Sequence, residues 1–125
     1  MKSQFSLSWK SSKQRRKQRK FRHNAPLYVK HKFLSSNLSR ELRKKYKKRN
    51  FPLRKDDMVK VMTGQFKGKT GKVIKILTQE TKIHIENIQL TKRNNTKSYI
   101  PIHSSNVQIL ELNLSDKERL KALKR

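Results

Sequence analysis

Hydrophobic residues in this chain follow two periods, and the change falls near residue 50. From Phe51 onward, apolar side chains alternate with polar ones, as in strands that bury one face. The alternating positions are Val59/Val61, Val73/Leu77, Ile74/Ile76, Ile83/Ile85, Ile88/Leu90, Ile100/Ile102 and Val107/Ile109. Several short strands with no helix between them predict a mainly β fold, a small antiparallel barrel over residues 51–112.

The first 50 residues predict short helices instead. Pro26 suits the first position of a helix, and Ser39 suits the N-cap of a helix over residues 40–48. Residues 11–22 contain good helix formers, but their like charges repel at helical spacing, so we expect this run to order only against a polyanion. Residues 1–10 are predicted to be disordered.

Beyond the strands, residues 113–125 predict a short C-terminal helix. Ser115 and Glu118 have the spacing of a capping box that would open it. Within the barrel, Gln79-Glu80 is a predicted short turn. Asn94-Asn95 is another, because asparagine tolerates left-handed backbone better than other non-glycine residues.

All three glycines of the chain fall within eight residues, at Gly64, Gly68 and Gly71. Because glycine adopts positive φ freely, this grouping predicts a tight connection between two strands of a hairpin. The lysines on or beside this turn are Lys67, Lys69 and Lys72. A tight, positively charged loop whose bare backbone can approach a partner suits a phosphate backbone rather than a metal.

The net charge of the chain is its strongest indication of a partner. The chain carries a formal net charge of +26, and only 32% of its residues are hydrophobic. Residues 1–50 contain 18 Lys or Arg against one acid, residues 51–112 contain 11 against 5, and residues 113–125 contain 5 against 2. A domain with this charge would repel itself, so a polyanion partner is expected. We therefore divide the chain into a basic extension, a barrel and a terminal helix at these boundaries.

Other chemistries lack support in the sequence. Cysteine is absent, which excludes disulfides and thiolate zinc sites, and no apolar run is long enough for a membrane span. Asp56 and Asp57 are adjacent, so on a strand they would face opposite ways, and an ion-pair or turn role is favoured over acid–base catalysis. The histidines have no ligand spacing; they are His23, His31, His84 and His103. We expect no catalytic residues, no metal and no cofactor, and hence not an enzyme.

Five aromatic residues interleave with the basic ones, at Trp9, Phe21, Tyr28, Phe33 and Tyr46. Any of them could stack on an unpaired nucleotide. Packing against the barrel or a neighbouring protein is favoured for Tyr28, Phe33 and Tyr46.

The residues around the glycines resemble a KOW motif. The resemblance rests on Arg54-Lys55-Asp56-Asp57-Met58-Val59-Lys60-Val61, then Gly64, Phe66-Lys67-Gly68 and Gly71-Lys72-Val73. The flanks are similar to the archaeal and eukaryotic branch of one large-subunit ribosomal protein family, number twenty-four in universal naming and twenty-six in eukaryotic naming. These flanks are Lys17-Gln18-Arg19-Lys20, Asn24-Ala25-Pro26, Leu38-Ser39-Arg40-Glu41-Leu42-Arg43 and Pro101-Ile102-His103 with Ser105-Asn106-Val107.

This resemblance, which runs from about Lys13 to Arg125, implies an SH3-like barrel that binds the 5′ region of large-subunit rRNA near the nascent-chain exit tunnel. It also implies early incorporation during ribosome assembly, neighbouring ribosomal proteins as partners, and a monomer within the cytoplasmic ribosome, nucleolar during assembly if the cell is eukaryotic. Three positions depart from the family pattern: Thr63 for a common arginine, Ser104 for a frequent proline and Asn95 for a usual glycine.

Matching by position assigns rRNA contact to the basic arm and to the glycine turn. The candidates in the arm are Arg15, Arg16, Lys17, Arg19, Lys20, Arg22, Asn24, Lys30, Lys32, Arg40, Arg43, Lys44 and Lys47. Those in the turn are Gly64, Lys67, Gly68, Lys69, Gly71 and Lys72.

Three alternatives remain at this point. A KOW-type transcription elongation module would bring a further domain that contacts polymerase, and a general nucleic-acid compaction protein would bind duplex DNA as well as rRNA. An RNA-modifying enzyme would need a cofactor or catalytic constellation that the residues do not suggest. Cytosolic and organellar ribosomes are not distinguished by the sequence.

Overall fold

The computed structural model describes residues 5–125 and combines nine strands with four helices in that range. The helices are α1 (Arg15–Asn24), α2 (Leu27–Phe33), α3 (Arg40–Tyr46) and α4 (Lys117–Lys124). The strands are β1 (Ser35–Leu38), β2 (Asn50–Pro52), β3 (Met58–Val61), β4 (Thr70–Leu77), β5 (Lys82–Ile85), β6 (Gln89–Thr91), β7 (Lys97–Tyr99), β8 (Ile102–His103) and β9 (Val107–Glu111).

Seven strands form one sheet in the order β2-β1-β9-β3-β4-β5-β8, and β6 pairs with β7 as a separate ribbon. The sheet encloses a hydrophobic core, which confirms the predicted small, mainly β barrel. Side chains at the alternating positions supply most of this core: Val59, Val61, Val73, Ile83, Ile85, Val107 and Ile109. Burying each such side chain contributes about 1.5–3 kcal/mol, so the period-two pattern carries much of the stability.

Strand β1 departs from the predicted layout. It comes from the segment assigned to the extension, yet it lies inside the sheet, antiparallel to β2 and parallel to β9. The barrel is therefore not wholly antiparallel. Leu34 and Leu38, at the two ends of this stretch, are 1% and 0% exposed in the core. Deleting residues 1–50 would remove part of the core together with the basic arm.

Local signals for α2 and α3 are largely correct, whereas α1 contradicts the expectation that residues 11–22 order only against a polyanion, because Arg15–Asn24 are helical in the chain alone. Ser39 caps α3, and its side chain accepts a hydrogen bond from the Leu42 amide at 3.4 Å. The helix ends earlier than predicted because Lys47 adopts a left-handed conformation, with φ of 53°. Pro26 is the N-cap of α2 rather than its first residue. Both predicted turns of the barrel form, and Asn95 has a φ of 59°.

Helix α4 begins one residue later than the capping box predicted. Asp116, not Ser115, is the N-cap, and its Oδ1 accepts from the Glu118 amide at 2.9 Å. Its other carboxylate oxygen accepts from the Arg54 guanidinium, and that hydrogen bond is the main reason why the pKa of Asp116 lies below its ordinary value of 3.8. Because the pKa of this carboxyl is lower in the folded state than in the unfolded state, its ionised form stabilises the fold at pH values above the unfolded-state pKa. This contribution is lost as the pH falls through the folded-state pKa.

A buried ion pair holds α4 against the barrel. Both guanidinium NH groups of Arg119 donate to the carboxylate of Asp57 at 2.6 Å, and the two side chains are almost fully buried. Asp57 also accepts from the amides of Arg54 and Asn113, at 2.8 and 2.9 Å. The guanidinium lies 5.6 Å from the centre of the Phe51 ring. The ion-pair role predicted for the acidic pair is confirmed at Asp57.

The stretch before α1 is folded back on that helix, contrary to the predicted disorder of residues 1–10. The Gln18 side-chain amide donates to the carbonyls of Trp9, Lys10 and Ser12, at 2.9, 3.1 and 2.7 Å. The rings of Phe5 and Phe21 lie 5.2 Å apart. Residues 1–4 lie outside the described range, so this correction concerns residues 5–10.

Candidate nucleic-acid interface

The loop between β3 and β4 is shaped by two of the three glycines. Gly64 and Gly68 have φ values of 90° and 89°, which L-amino acids with side chains rarely adopt. The amide of Gly68 donates to the Val61 carbonyl at 2.8 Å, and those of Lys67 and Lys69 donate within the loop at 3.1 Å. These three amides are therefore engaged within the loop, while the side chains of Lys67 and Lys69 remain exposed.

The three candidate lysines of this region are all exposed. Lys67 and Lys69 lie on the loop, and Lys72 lies on β4. The Lys69 ammonium lies 5.1 Å from the centre of the Phe66 ring, whose side chain packs partly against the core. The ring limits where this ammonium can point, so the loop presents its charge at a restricted position.

Gly71 has a different role from its two partners. It lies in β4, is buried, and has no positive φ. A Cβ at this position would come within 2.6 Å of the Glu86 carbonyl oxygen and 2.9 Å of Ile85 Cγ2. The residue is therefore glycine because the barrel wall approaches it closely. Its burial removes it from the candidate interface.

Replacing Gly71 with alanine is expected to lower the free energy of unfolding by about 1–3 kcal/mol, because the new methyl group must displace backbone of the adjacent strand. A Gly68→Ala variant meets no atom within 4 Å and is strained only by its φ. Urea denaturation of both variants measures how much each substitution lowers the free energy of unfolding. RNA binding is compared separately in buffer without urea, where we expect the folded Gly71→Ala protein to bind normally.

Helix α1 is held by one side chain and is basic elsewhere. Phe21 is its buried residue, and the Phe21 ring meets the Phe33 ring of α2 edge-on at 6.2 Å. No acidic residue occurs between Arg15 and Asn24. The remaining candidates on this helix are exposed: Arg15, Arg16, Lys17, Arg19, Lys20, Arg22 and Asn24. A single aromatic anchor thus positions a helix whose other faces are available to a polyanion.

The other arm candidates differ in how far their side chains are exposed to solvent. Lys32, Arg40, Lys44 and Lys47 are exposed, whereas Lys30 and Arg43 are half-buried. The Arg43 Nε donates to the Leu38 carbonyl at 2.8 Å, so part of its guanidinium serves the fold. Its two terminal NH2 groups are not used by this hydrogen bond, and a guanidinium can bind phosphate bidentately through such groups.

A basic cleft joins the arm to the barrel. His103 lies at its barrel side, where its Nδ1 accepts from the Ser105 amide at 3.2 Å. In the neutral ring the proton then resides on Nε2, which donates to the Thr81 hydroxyl at 3.2 Å. The cleft holds about 330 Å³ and is lined by Arg22, His23, Lys30, Phe33, Gln79, Thr81 and His103. His23 and His103 are far apart in the sequence, and only folding brings them to one cleft.

The aromatic predictions had mixed outcomes. Phe33 packs against Phe21, and Tyr46 packs partly against the core, as favoured. Tyr28 is 64% exposed, so it does not pack on the barrel, and its packing against a neighbouring protein stays a prediction. Val29 is the buried residue of α2, and its neighbour on the helix consequently faces another direction.

Sequence reasoning missed one basic feature, the ribbon of β6 and β7. Its exposed basic residues are Lys92, Arg93 and Lys97, and the Tyr99 ring stacks on His84 at 5.8 Å. The adjacent Lys92 and Arg93 before a predicted turn were the available signal. Leu90 is 51% exposed here, although its alternation with Ile88 predicted burial.

Residues 5–125 contain no group of three or more His, Cys, Asp or Glu residues arranged to hold a metal ion. In the same range, every helix is too short or too polar to cross a membrane.

A family model that describes the eukaryotic ribosomal proteins L26 and their archaeal counterparts, which carry the number twenty-four, matches residues 12–125. The chain belongs to this family. The match spans the four α-helices and the whole sheet, and it confirms the family resemblance noted in the sequence. The family is a structural, non-enzymatic one, and membership makes this chain a protein of the large ribosomal subunit that acts in translation in the cytoplasmic ribosome.

Proposed function

We propose that this ribosomal protein binds large-subunit rRNA near the nascent-chain exit tunnel and enters the subunit early in assembly. The observation that carries the proposal is α1, an exposed helix without acidic residues that is fixed to the fold by Phe21. Solvated surface charge is the usual explanation for basic residues. Eighteen basic residues against one acid in residues 1–50 exceed what solubility requires.

The chemistry of the interface is that of phosphate recognition. Arginines of α1 can each form two parallel hydrogen bonds to a phosphate, whereas the loop lysines act as point charges. Each neutralised phosphate releases counterions, which favours binding at low salt. In this proposal the basic groups contact phosphates, and recognition rests on the shape and backbone of folded RNA.

The fold determines how these charges are presented. Lys69 is restricted by Phe66, Arg43 by the Leu38 carbonyl, and α1 by its contact with α2. Restricted donors lose less conformational entropy on binding than free side chains do. In this proposal the KOW-type loop and the arm contact separate stretches of rRNA, and the protein acts as a monomer beside neighbouring ribosomal proteins.

Sedimentation of the tagged protein from cell lysate through a high-salt sucrose gradient tests the proposal. We expect stoichiometric migration with the large subunit that resists salt and is lost after RNase treatment. A variant with Lys67, Lys69 and Lys72 changed to glutamate should incorporate poorly. A matched variant with glutamate at the exposed Lys117, Lys121 and Lys124 of α4 controls for the same change in charge.

Other outcomes would contradict the proposal. Migration with RNA polymerase would favour the transcription elongation module. Release into light fractions at moderate salt, with equal affinity for rRNA and duplex DNA, would favour general nucleic-acid compaction.

Nucleolar accumulation of the tagged protein in a eukaryotic host would support a role in early assembly.

A further inference from the structure

Trp9 lies where two small clefts meet, at the folded-back stretch before α1. One cleft, of about 220 Å³, is lined by three aromatic rings together with small polar side chains and one lysine: Phe5, Ser6, Ser8, Trp9, Lys20, Phe21 and Asn24. The other, of about 230 Å³, carries three cationic side chains and is lined by Trp9, Gln14, Arg16, Lys17 and Lys20. The indole thus borders both an aromatic cleft and a cationic one.

The backbone that carries Trp9 is held in place. The Gln18 side chain donates to the Trp9 carbonyl at 2.9 Å, and the Ser12 amide donates to the same carbonyl at 3.2 Å. The Lys10 amide closes the preceding turn onto the Leu7 carbonyl at 3.0 Å. A ring on such a backbone is presented at a fixed position, which lowers the entropic cost of stacking a ligand on it.

Two ammonium groups converge on the indole. The Nζ atoms of Lys17 and Lys20 lie 5.7 and 5.5 Å from the ring centre. They are three residues apart on α1, so they project from one face and repel each other. No acidic residue precedes Glu41 in the sequence to compensate them nearby. An anion placed between the two lysines would relieve this repulsion.

We propose that Trp9 is a stacking platform for one unpaired nucleotide of RNA. The base enters the aromatic cleft and stacks on the indole, with the Ser6, Ser8 and Asn24 side chains near its polar edge. The 5′ or 3′ phosphate of that nucleotide lies on the basic side, between Lys17 and Lys20. This combination of an aromatic face, polar groups and cations matches the three parts of a nucleotide.

The platform rests on the proposed function, because rRNA is the source of the nucleotide. It also goes beyond it, since Trp9 lies before residues 12–125, the part of the chain that the family model covers. The stacking residue therefore lies outside the matched range, whereas Lys17 and Lys20 lie within it. It gives the arm a contact with single-stranded RNA next to the phosphate contacts of α1.

Trp9 is the single tryptophan of the chain, so its fluorescence reports the site directly. The full chain is titrated with ten-nucleotide oligouridylate and oligoadenylate, and with an RNA duplex of the same length. We expect single strands to quench the emission at saturation, because a stacked base contacts the indole, and the duplex to quench it little. A Trp9→Leu variant should bind the single strands about 10- to 100-fold more weakly, and Trp9→Phe should recover part of that loss.

Matched variants separate the platform from general charge and folding. Lys17→Gln with Lys20→Gln should weaken single-strand binding more than Lys117→Gln with Lys124→Gln, which removes the same charge from exposed positions of α4, outside the candidate interface. Leu7→Ala, in the same turn, should leave binding unchanged. Thermal melting followed by circular dichroism verifies that each variant is folded.

The outcomes distinguish this inference from the proposed function. If the protein sediments with the large subunit but single strands neither quench Trp9 nor bind more weakly to Trp9→Leu, the platform is wrong and rRNA binding stands. If duplex and single strand quench equally, the indole does not stack on an unpaired base. Failure to sediment with the subunit contradicts the proposed function itself.

Discussion

Replacing Arg119 with methionine is expected to lower the free energy of unfolding by about 3–5 kcal/mol, because the Asp57 carboxylate would remain buried without its countercharge. Asp57 would keep its hydrogen bonds from the Arg54 and Asn113 amides, but these do not neutralise it. The loss is a large part of the roughly 5–15 kcal/mol that stabilises a typical domain. Urea unfolding followed by circular dichroism measures it.

Two controls sharpen this test. Lys121→Met, on the same helix, breaks only the exposed pair with Glu118 at 2.8 Å, and we expect a change below about 0.5 kcal/mol. A double variant, Asp57→Asn with Arg119→Met, removes both charges and should be more stable than Arg119→Met alone. A loss below about 1 kcal/mol for Arg119→Met would mean that the pair does not hold α4 on the barrel.

Neutralising the basic face of α1 is expected to change RNA binding more than any other surface substitution. The variant replaces Arg15, Arg16, Lys17, Arg19, Lys20 and Arg22 with glutamine, a good helix former that keeps the helix intact. If each residue neutralises one phosphate, the slope of log affinity against log salt should fall by about 4–5. The same relation gives a loss of affinity of roughly a thousandfold near physiological salt.

Filter binding to a large-subunit rRNA fragment over a salt series measures both quantities. Glutamine at Lys67, Lys69 and Lys72 should lower the slope by about 2–3, in proportion to the smaller number of charges. The anchor Phe21 is retained in both variants, so differences report charge rather than folding. A slope that does not change after all six α1 substitutions would show that α1 faces solvent in the complex.

Much of the fold followed from the sequence. The alternation of Val59 with Val61 and of Ile83 with Ile85 predicted strands that bury one face, and these residues lie in the core. Ser39 predicted the start of α3 correctly, because a capping side chain acts on amides only two or three residues away. Local signals of this kind survive folding whenever no distant residue competes with them.

Distant residues did compete in several places. Ser115 had the spacing of a cap, but Asp116 caps α4 while also pairing with Arg54, a residue far away in the sequence. Ile88 and Leu90 share a strand period, yet the latter is exposed because β6 leaves the main sheet to pair with β7. In both cases a tertiary contact decided between two locally acceptable arrangements.

The sequence by itself determined the basic arm, the period-two barrel and the need for φ-permissive residues at Gly64 and Gly68, since charge, alternation and backbone freedom are properties of individual residues and their spacing. Only the tertiary structure decided that β1 completes the sheet, that Gly71 is buried and that Asp57 meets Arg119. Each of these depends on which segments lie side by side after folding, and spacing along the chain carries no record of that.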